Sequence, residues 1–434
     1  MTTIYALASA KGRAGVAVMR LSGEEAGPAL AILTGRAVPA PRRAALRAFH
    51  DPATGAVIDR GLAIWFPAPA SFTGEDVAEL HLHGGPAVIA AMVAALERID
   101  GLCPAEPGEF SRRAFEHGKL DLTEAEGIAD LVDAETEAQR VQALRQMEGA
   151  LGALYEGWRG DLVRALALLE ADIDFPDEDL PGGIAAQVTP SLARLAGEIR
   201  AHLADGRRGE ALRGGFQVVI TGAPNVGKSS LLNALARRDV AIVSDVAGTT
   251  RDIIEVRLDL GGYPVTLVDT AGLRESADVI EQEGVRRALA RAEQADLRLC
   301  LFEAGDRMPE AAAGDLLVAT KTDLTPVAAR AGLFPVSVRT GAGLDALLAA
   351  LEETIVGRMG LRDAPSLTRA RHRRALEDAA AHLDRASAGA RDGREPELVA
   401  EDVRLAARTL GRIVGRVDVE DILDVVFGEF CIGK

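Results

Sequence analysis

The spacing of apolar residues changes character three times along the chain. Up to about residue 118 they fall in short, near-alternating runs, and residues 16–21, 61–66 and 77–82 predict strands of a half-buried sheet. Residues 88–99 predict a helix, and Pro104, Pro107 and Gly108 punctuate the end of the segment. From Leu122 the apolar positions step mostly by three and four, through Ile128, Leu131, Val141, Leu144, Met147, Leu151, Leu154, Trp158, Leu162, Leu169 and Ile173, which is a helical rhythm. Gly149, Gly152, Gly157 and Gly160 are expected to bend or divide that stretch. It ends at Phe175, because Pro176 disfavours helix in the residue before it. A second helix is predicted over about 190–203 and a linker over 206–215. Residues 216–357 alternate strand with helix as a doubly wound sheet does, and 366–427 turn helical again. The fold class expected is therefore multidomain. An α+β domain covers 1–118, an all-α helical domain comes in two parts, 119–212 and 359–434, and an α/β domain is inserted at 213–358.

Composition changes this picture in three ways. The chain has 434 residues, 48% of them hydrophobic and only 4% aromatic, so its cores are built mostly from Leu, Val and Ala. Its net charge of −16 argues against a general nucleic-acid binder while leaving room for a local basic groove. Cys103, Cys300 and Cys431 lie far apart with no C-x-x-C, which disfavours a disulfide framework or a zinc site. No run of 18 apolar residues and no signal-peptide pattern is present, so a cytoplasmic chain outside the membrane is expected. Of 49 basic residues only five are lysine (Lys11, Lys119, Lys228, Lys321 and Lys434), the other 44 being arginine. A lysine here is expected where a compact ammonium is required.

Candidate chemistry begins in the α/β segment. The apolar run from Phe216 to Ile220 leads into Gly222-Ala-Pro-Asn225-Val226-Gly227-Lys228-Ser229-Ser230 and then into a helical pattern, the context of a P-loop. Glycines let backbone N–H groups close around phosphate oxygens, and the helix start adds partial positive charge. Lys228 would reach the terminal phosphates and Ser229 would ligate Mg²⁺. Further motifs follow in the order a GTPase needs. Thr249 and Thr250, in Gly248-Thr-Thr-Arg-Asp252, suit Mg²⁺ and γ-phosphate sensing, with Thr250 the metal ligand. Asp269-Thr270-Ala271-Gly272 ends a buried strand and suits the Walker-B position and the γ-phosphate. Thr320-Lys321-Thr-Asp323 is similar to the guanine-reading N-K-x-D with Thr in place of Asn. Ser337-Val338-Arg339 stands where S-A-K closes the base pocket. These two departures leave guanine preference in place and predict weaker binding. Leu273 follows the D-T-A-G motif and cannot orient water; Glu281 is either that orienting acid, acting through water, or a solvated acid at a helix start.

Together these residues resemble the tRNA-modifying GTPase family called MnmE or TrmE. The likeness is carried by the P-loop, by Asp245-Val-Ala-Gly-Thr-Thr-Arg-Asp252 and by Asp269-Thr-Ala-Gly-Leu-Arg-Glu275. Ser71-Phe-Thr-Gly-Glu-Asp-Val-Ala-Glu79-Leu-His-Leu-His-Gly-Gly85, Pro107-Gly-Glu-Phe-Ser-Arg-Arg-Ala-Phe115 and Lys119-Leu-Asp-Leu-Thr-Glu-Ala-Glu126 extend it, as does the closing Phe430-Cys-Ile-Gly-Lys434. The resemblance spans essentially the whole chain. It implies a folate-binding-like N-terminal domain that also mediates homodimerisation. The one-carbon source would be a tetrahydrofolate derivative, 5-formyl or 5,10-methylene, contacted at Arg20, Glu79, Lys119 and Lys434. It further implies a P-loop GTPase domain that uses K⁺ in place of an arginine finger. The K⁺ ligands would match Asn225, Ser244, Val246 and Thr249, and Ser244 would also lie at the GTP. Glu281 would be the catalytic acid. The family works with an FAD- and NADH-dependent flavoprotein in a heterotetramer and modifies carbon 5 of the tRNA wobble uridine.

Several residues keep two readings. Cys431 is either a small buried hydrophobe or, as the family context implies, a participant in the one-carbon chemistry. His81 and His83 read as strand residues ahead of metal ligands. Arg369-Ala-Arg371-His-Arg373-Arg374 would meet tRNA phosphates or form a solvated helix face. Two rival functions are a ribosome-assembly or RNA-binding regulatory GTPase and a folate-dependent transferase with a purely structural nucleotide domain. The acidic helical flanks disfavour the first, and the full set of Mg²⁺ and switch residues disfavours the second.

Overall fold

Two six-stranded sheets organise the chain. The computed structural model describes residues 2–174, 184–205, 207–238, 240–242, 255–269, 295–328, 330–360, 365–417, 419–428 and 430–433. These form two compact units, Met1–Ala129 with Gly411–Lys434, and Asp130–Leu410.

The first unit holds strands β1 (Thr3–Leu7), β2 (Ala14–Ser22), β3 (Ala45–His50), β4 (Val57–Phe66), β5 (Val77–Gly84) and β6 (Leu102–Pro104). Their order is β3-β4-β5-β2-β1-β6, antiparallel except where β6 joins β1. Side chains alternate across each strand. Met19, Leu21, Phe49, Ala63, Leu80 and Leu82 therefore bury one face in a core with residues of helices Ala26–Thr34 and Pro86–Leu96, while Arg20 and Glu79 stand on the other. The three predicted strands are present as β2, β4 and β5. The helix predicted at 88–99 starts earlier, with Pro86 in its first turn after Gly85, and stops at Leu96. The last described residues turn back on this sheet. Pro107 and Ile432 form an antiparallel bridge, and a Cβ on Gly433 (φ 96°) would run into the Leu7 carbonyl.

The long helical stretch is divided, but only one of the four glycines divides it. Helices Leu122–Val132, Glu137–Met147 and Ala150–Asp174 are separate. Gly149, at φ 84°, occupies the left-handed region that ends a helix, whereas Gly152, Gly157 and Gly160 lie inside an unbroken helix. Helix Ile184–Leu203 begins before the predicted start and carries Pro190 within it. The expected linker contains a helix, Arg208–Gly214, with Leu212 buried and Gly209 packed too close to the Leu367 carbonyl for any side chain. Two of the four arginines in the run at 369–374 turn inward. Arg369 is 9% exposed and pairs with Asp130 at 2.8 Å, Arg373 pairs with Asp205 and Glu210 at 3.0 and 2.9 Å, and His372 is fully buried. Both arginines are internal ties and not a solvated face.

The second sheet comprises β7 (Phe216–Gly222), β8 (Glu255–Leu260), β9 (Tyr263–Asp269), β10 (Leu297–Glu303), β11 (Leu316–Thr320) and β12 (Leu333–Pro335), in the order β12-β11-β10-β7-β9-β8. All pairs are parallel except β8–β9. Chain order reverses at β7, which lies between β10 and β9, and ligands of such sheets bind at the carboxyl ends beside that reversal. Every residue of β9 is buried, which explains its continuous apolar run. The β8–β9 hairpin turns on Gly261 and Gly262, both at positive φ. Its turn docks on a helix start: Gly262 accepts a bond from Ala138 N at 3.0 Å, and Arg257 meets Glu135 at 3.1 Å. Thr136 and Gln139 close that start with a reciprocal capping box.

Gly108 gives a direct test of the first unit. It caps helix Glu109–Glu116 at φ 68°, and a Cβ there would meet the Phe427 carbonyl and side chain. Gly108→Ala is expected to destabilise this unit by roughly 2–3 kcal/mol through left-handed strain and overpacking. Chemical denaturation checks this, and an unchanged midpoint would contradict it.

Candidate functional site

The phosphate loop joins β7 to helix Lys228–Ala236. Gly222, Asn225 and Gly227 hold φ values of 148°, 61° and 102°, and a Cβ on Gly222 would lie 2.5 Å from the Leu301 carbonyl. A turn of this kind running into a helix N-terminus is an anion cradle. Lys228 is 6% exposed, and its ammonium donates to the carbonyls of Gly222 and Ala223 at 3.0 and 2.8 Å. Ser229 donates its hydroxyl to Asp269 Oδ2 at 2.5 Å. Asp269 ends β9, in register with Ile220 of β7, and is 1% exposed. Two hard oxygen donors thus converge beside a buried ammonium, a set that fits Mg²⁺. Val226 is buried in the core, while Ser230 is exposed on the first helical turn.

The residues expected to read the base begin at the end of β11. Thr320, at its last position, is 3% exposed and donates to the Val226 carbonyl at 2.7 Å. Its hydroxyl therefore ties the base motif to the phosphate loop across 94 positions of sequence. Lys321 sits at φ 56° and meets Glu303 at 2.5 Å. Asp323 is gripped on both oxygens, by Ser337 Oγ at 2.6 Å and by Arg339 at 2.7 Å. The Ser337 hydroxyl, then the Arg339 guanidinium, hold its carboxyl below the usual aspartate range. The charged form is therefore the favoured one, and Asp323 stands ready as an acceptor. Val338 packs against the domain core between them.

In the first unit, Arg20 on β2 and Glu79 on β5 are register partners. Arg20 donates to Glu79 Oε1 through Nε at 3.1 Å and its terminal nitrogen at 2.9 Å. The guanidinium lies 5.6 Å from the Phe72 ring centroid and 5.8 Å from that of Phe110. The Phe72 loop is held from behind. Glu75 accepts from Ser22 at 2.7 Å and from buried Arg113 at 3.0 Å, and Arg113 also binds Glu109 at 2.8 Å. Lys119 is exposed, with its Cε 3.3 Å from where a Gly74 Cβ would stand. A paired cation and carboxylate bordered by two rings, with the Lys119 side chain beside the same loop, fit a flat heterocycle with an anionic tail. Cys431 is exposed, so the buried-hydrophobe reading does not hold for it. Cys103 is half-buried and Cys300 buried. His81 faces Glu79 at 3.4 Å and His83 faces Asp59 at 2.9 Å, each a strand residue with a carboxylate neighbour. Ser244, Val246, Thr249, Thr250, Thr270, Ala271, Gly272, Glu281 and Lys434 lie outside the described residues.

Comparison with known proteins accords with both halves. The family model for the MnmE helical domain matches residues 122–431, and that for the N-terminus of the GTP-binding protein TrmE matches 3–119. The chain belongs to the MnmE family. It is 63% identical to the tRNA modification GTPase MnmE of Parvibaculum lavamentivorans, over 100% of both chains. It is 56% identical to the one of Maricaulis maris, again over 100% of both, and 58% identical to that of Paramagnetospirillum magneticum, over 100% of this chain and 99% of the other. As an MnmE-family member it is a GTP hydrolase with a P-loop domain inserted among helices.

For a GTPase of this family, Glu303 and the Arg113–Glu75 pair were not singled out beforehand. Glu75 and Arg113 both lie in the quoted motifs, yet nothing local in them marks the contact between residues 38 apart. The Thr320 bond predicts a measurable cost. Thr320→Val keeps shape and removes the donor, so GDP affinity is expected to fall about fivefold, the worth of a ~1 kcal/mol hydrogen bond. Titration with a fluorescent GDP checks this, with Thr320→Ser expected to recover most of the loss.

Proposed function

We propose that this chain is a potassium-dependent GTPase that acts with an FAD- and NADH-dependent flavoprotein to modify carbon 5 of the tRNA wobble uridine, drawing its one-carbon unit from tetrahydrofolate. The observation that carries the nucleotide half is the convergence of Lys228, Ser229 and Asp269 at the carboxyl end of β7. On binding, Lys228 exchanges the Gly222 and Ala223 carbonyls for phosphate oxygens, and Ser229 turns its oxygen to Mg²⁺. When bound, Mg²⁺ would neutralise phosphate charge and K⁺ would supply the positive charge that an arginine supplies in other GTPases. Asn225, in the turn ahead of Lys228, is the K⁺ ligand among the described residues. Asp323 accepts from the guanine edge after Arg339 swings aside, and Glu281 orients the attacking water.

The one-carbon half rests on Arg20, Glu79 and Lys119. Glu79 accepts from pterin N–H groups, and Arg20 and Lys119 hold carbonyl or carboxylate oxygens, with Cys431 and Lys434 near the reacting carbon. In this reading the N-terminal unit also pairs with a second copy. Among the described residues no helix is long and apolar enough to cross a membrane, in keeping with a cytoplasmic role.

GTP turnover in K⁺ is expected to exceed that in Na⁺ at least tenfold, the scale of one removed transition-state contact of about 1.4 kcal/mol. Equal rates would defeat the potassium mechanism. Lys119→Ala is expected to weaken 5-formyltetrahydrofolate binding, measured calorimetrically, with GTP turnover unaltered. Undiminished binding would remove Lys119 from the folate site.

A further inference from the structure

Arginines in most of the described chain end on a carboxylate, as Arg98, Arg113, Arg257, Arg369 and Arg373 do. One stretch departs from this habit. Residues 36–60 contain five arginines (Arg36, Arg42, Arg43, Arg47 and Arg60) against two carboxylates, in a chain whose net charge is −16. Both carboxylates are committed elsewhere, Asp51 to Arg98 at 2.6 Å and Asp59 to His83 at 2.9 Å. Among the described residues none of the five arginines makes an ion pair.

The five share one border of the first sheet. β3 is its edge strand. Arg42, in the turn three residues before β3, is fixed by its N–H on the Trp65 carbonyl and by its side chain on the Ala70 carbonyl. Arg43 follows it; Arg60, opposite Ala48, lies on the open face, and Arg47, opposite Gly61, on the face that Phe49 buries. Arg36 follows helix Ala26–Thr34, which packs beside β3. Arg36, Arg42, Arg43 and Arg60 are exposed, and the half-buried Arg47 keeps an Nε with no hydrogen-bond partner. From Ala45 to His50 the edge strand runs about 17 Å at strand rise, long enough for several successive phosphates. Uncompensated like charges repel, so their gathering here calls for an anion from outside. Charge also guards sheet edges against pairing, but Arg36 and Arg60 are not on the edge strand, and guarding does not need them.

We propose that this arginine border receives the sugar–phosphate backbone of tRNA. The inference rests on the tRNA reading above and adds the surface that would hold the substrate. Guanidinium forks match phosphate oxygens, and an otherwise acidic chain needs such a local patch to hold a polyanion.

The test uses the full chain and its triple variant Arg36→Gln, Arg43→Gln, Arg60→Gln. None of these three side chains makes a hydrogen bond among the described residues, so the fold is retained. Binding of labelled tRNA is followed by anisotropy at several KCl concentrations. The variant is expected to bind more weakly, with the slope of log affinity on log salt reduced by about two to three, and with GTP turnover unchanged. An unchanged slope and affinity would overturn the proposal. Variant association beyond the size of the unaltered protein, with an unchanged slope, would assign the arginines to edge protection. Lost association with the flavoprotein, with tRNA binding intact, would assign them to a protein partner. If the unaltered chain binds no tRNA at all, the tRNA reading fails together with this one, whereas variant-insensitive binding defeats only the surface.

Discussion

An ammonium group kept from water must be hydrogen-bonded, and the bonds open to Lys228 define the nucleotide site. Its partners are two carbonyls of the loop that precedes it, so cation and loop hold each other in the shape a triphosphate requires. The buried carboxylate of Asp269 lies across Ser229 in the same way. Desolvated charge is costly unless matched. These groups therefore stand in mutual satisfaction. Thr320 extends the constraint by tying the loop's Val226 carbonyl to the strand that carries the base motif. Phosphate recognition and base recognition are thereby one structural object.

The N-terminal sheet repeats the idea with weaker shielding. Arg20 and Glu79 are partly exposed and satisfy each other across two strands, while the inner pair Arg113–Glu75 is largely closed off. The inner pair holds a loop in place, and the outer pair is left where a ligand can compete for it. Burial separates the two roles more clearly than residue type does, since both are arginine–glutamate contacts.

How much of this was legible in the sequence follows from distance along the chain. The phosphate loop was legible because its strand, turn and helix are contiguous, and Asp269 because D-x-x-G closes an apolar run. Thr320 was seen as a departure from Asn, but its compensating bond spans 94 positions and has no local signature. β1 was missed because a five-residue strand buried nearly throughout shows no alternation, and β3 because its exposed and half-buried residues look like loop. Helix Arg208–Gly214 is too short to display a period and sits among glycines. The inward arginines at 369 and 373 read as a surface run because Asp130, Asp205 and Glu210 are more than 160 positions away. The four helical glycines looked alike in sequence, and only Gly149 adopts the backbone angle that ends a helix.

The β8–β9 hairpin has a mechanical corollary. One end of β9 terminates in Asp269, beside Ser229, and the other begins at a turn bonded to Ala138, with Arg257 of the paired strand held by Glu135. An extended strand transmits axial load with little stretch, behaving as a short rod and not as a spring. Any force that pulls Asp269 lengthwise is thus delivered, about 20 Å away at strand rise, to the first turn of a helix in another part of the fold.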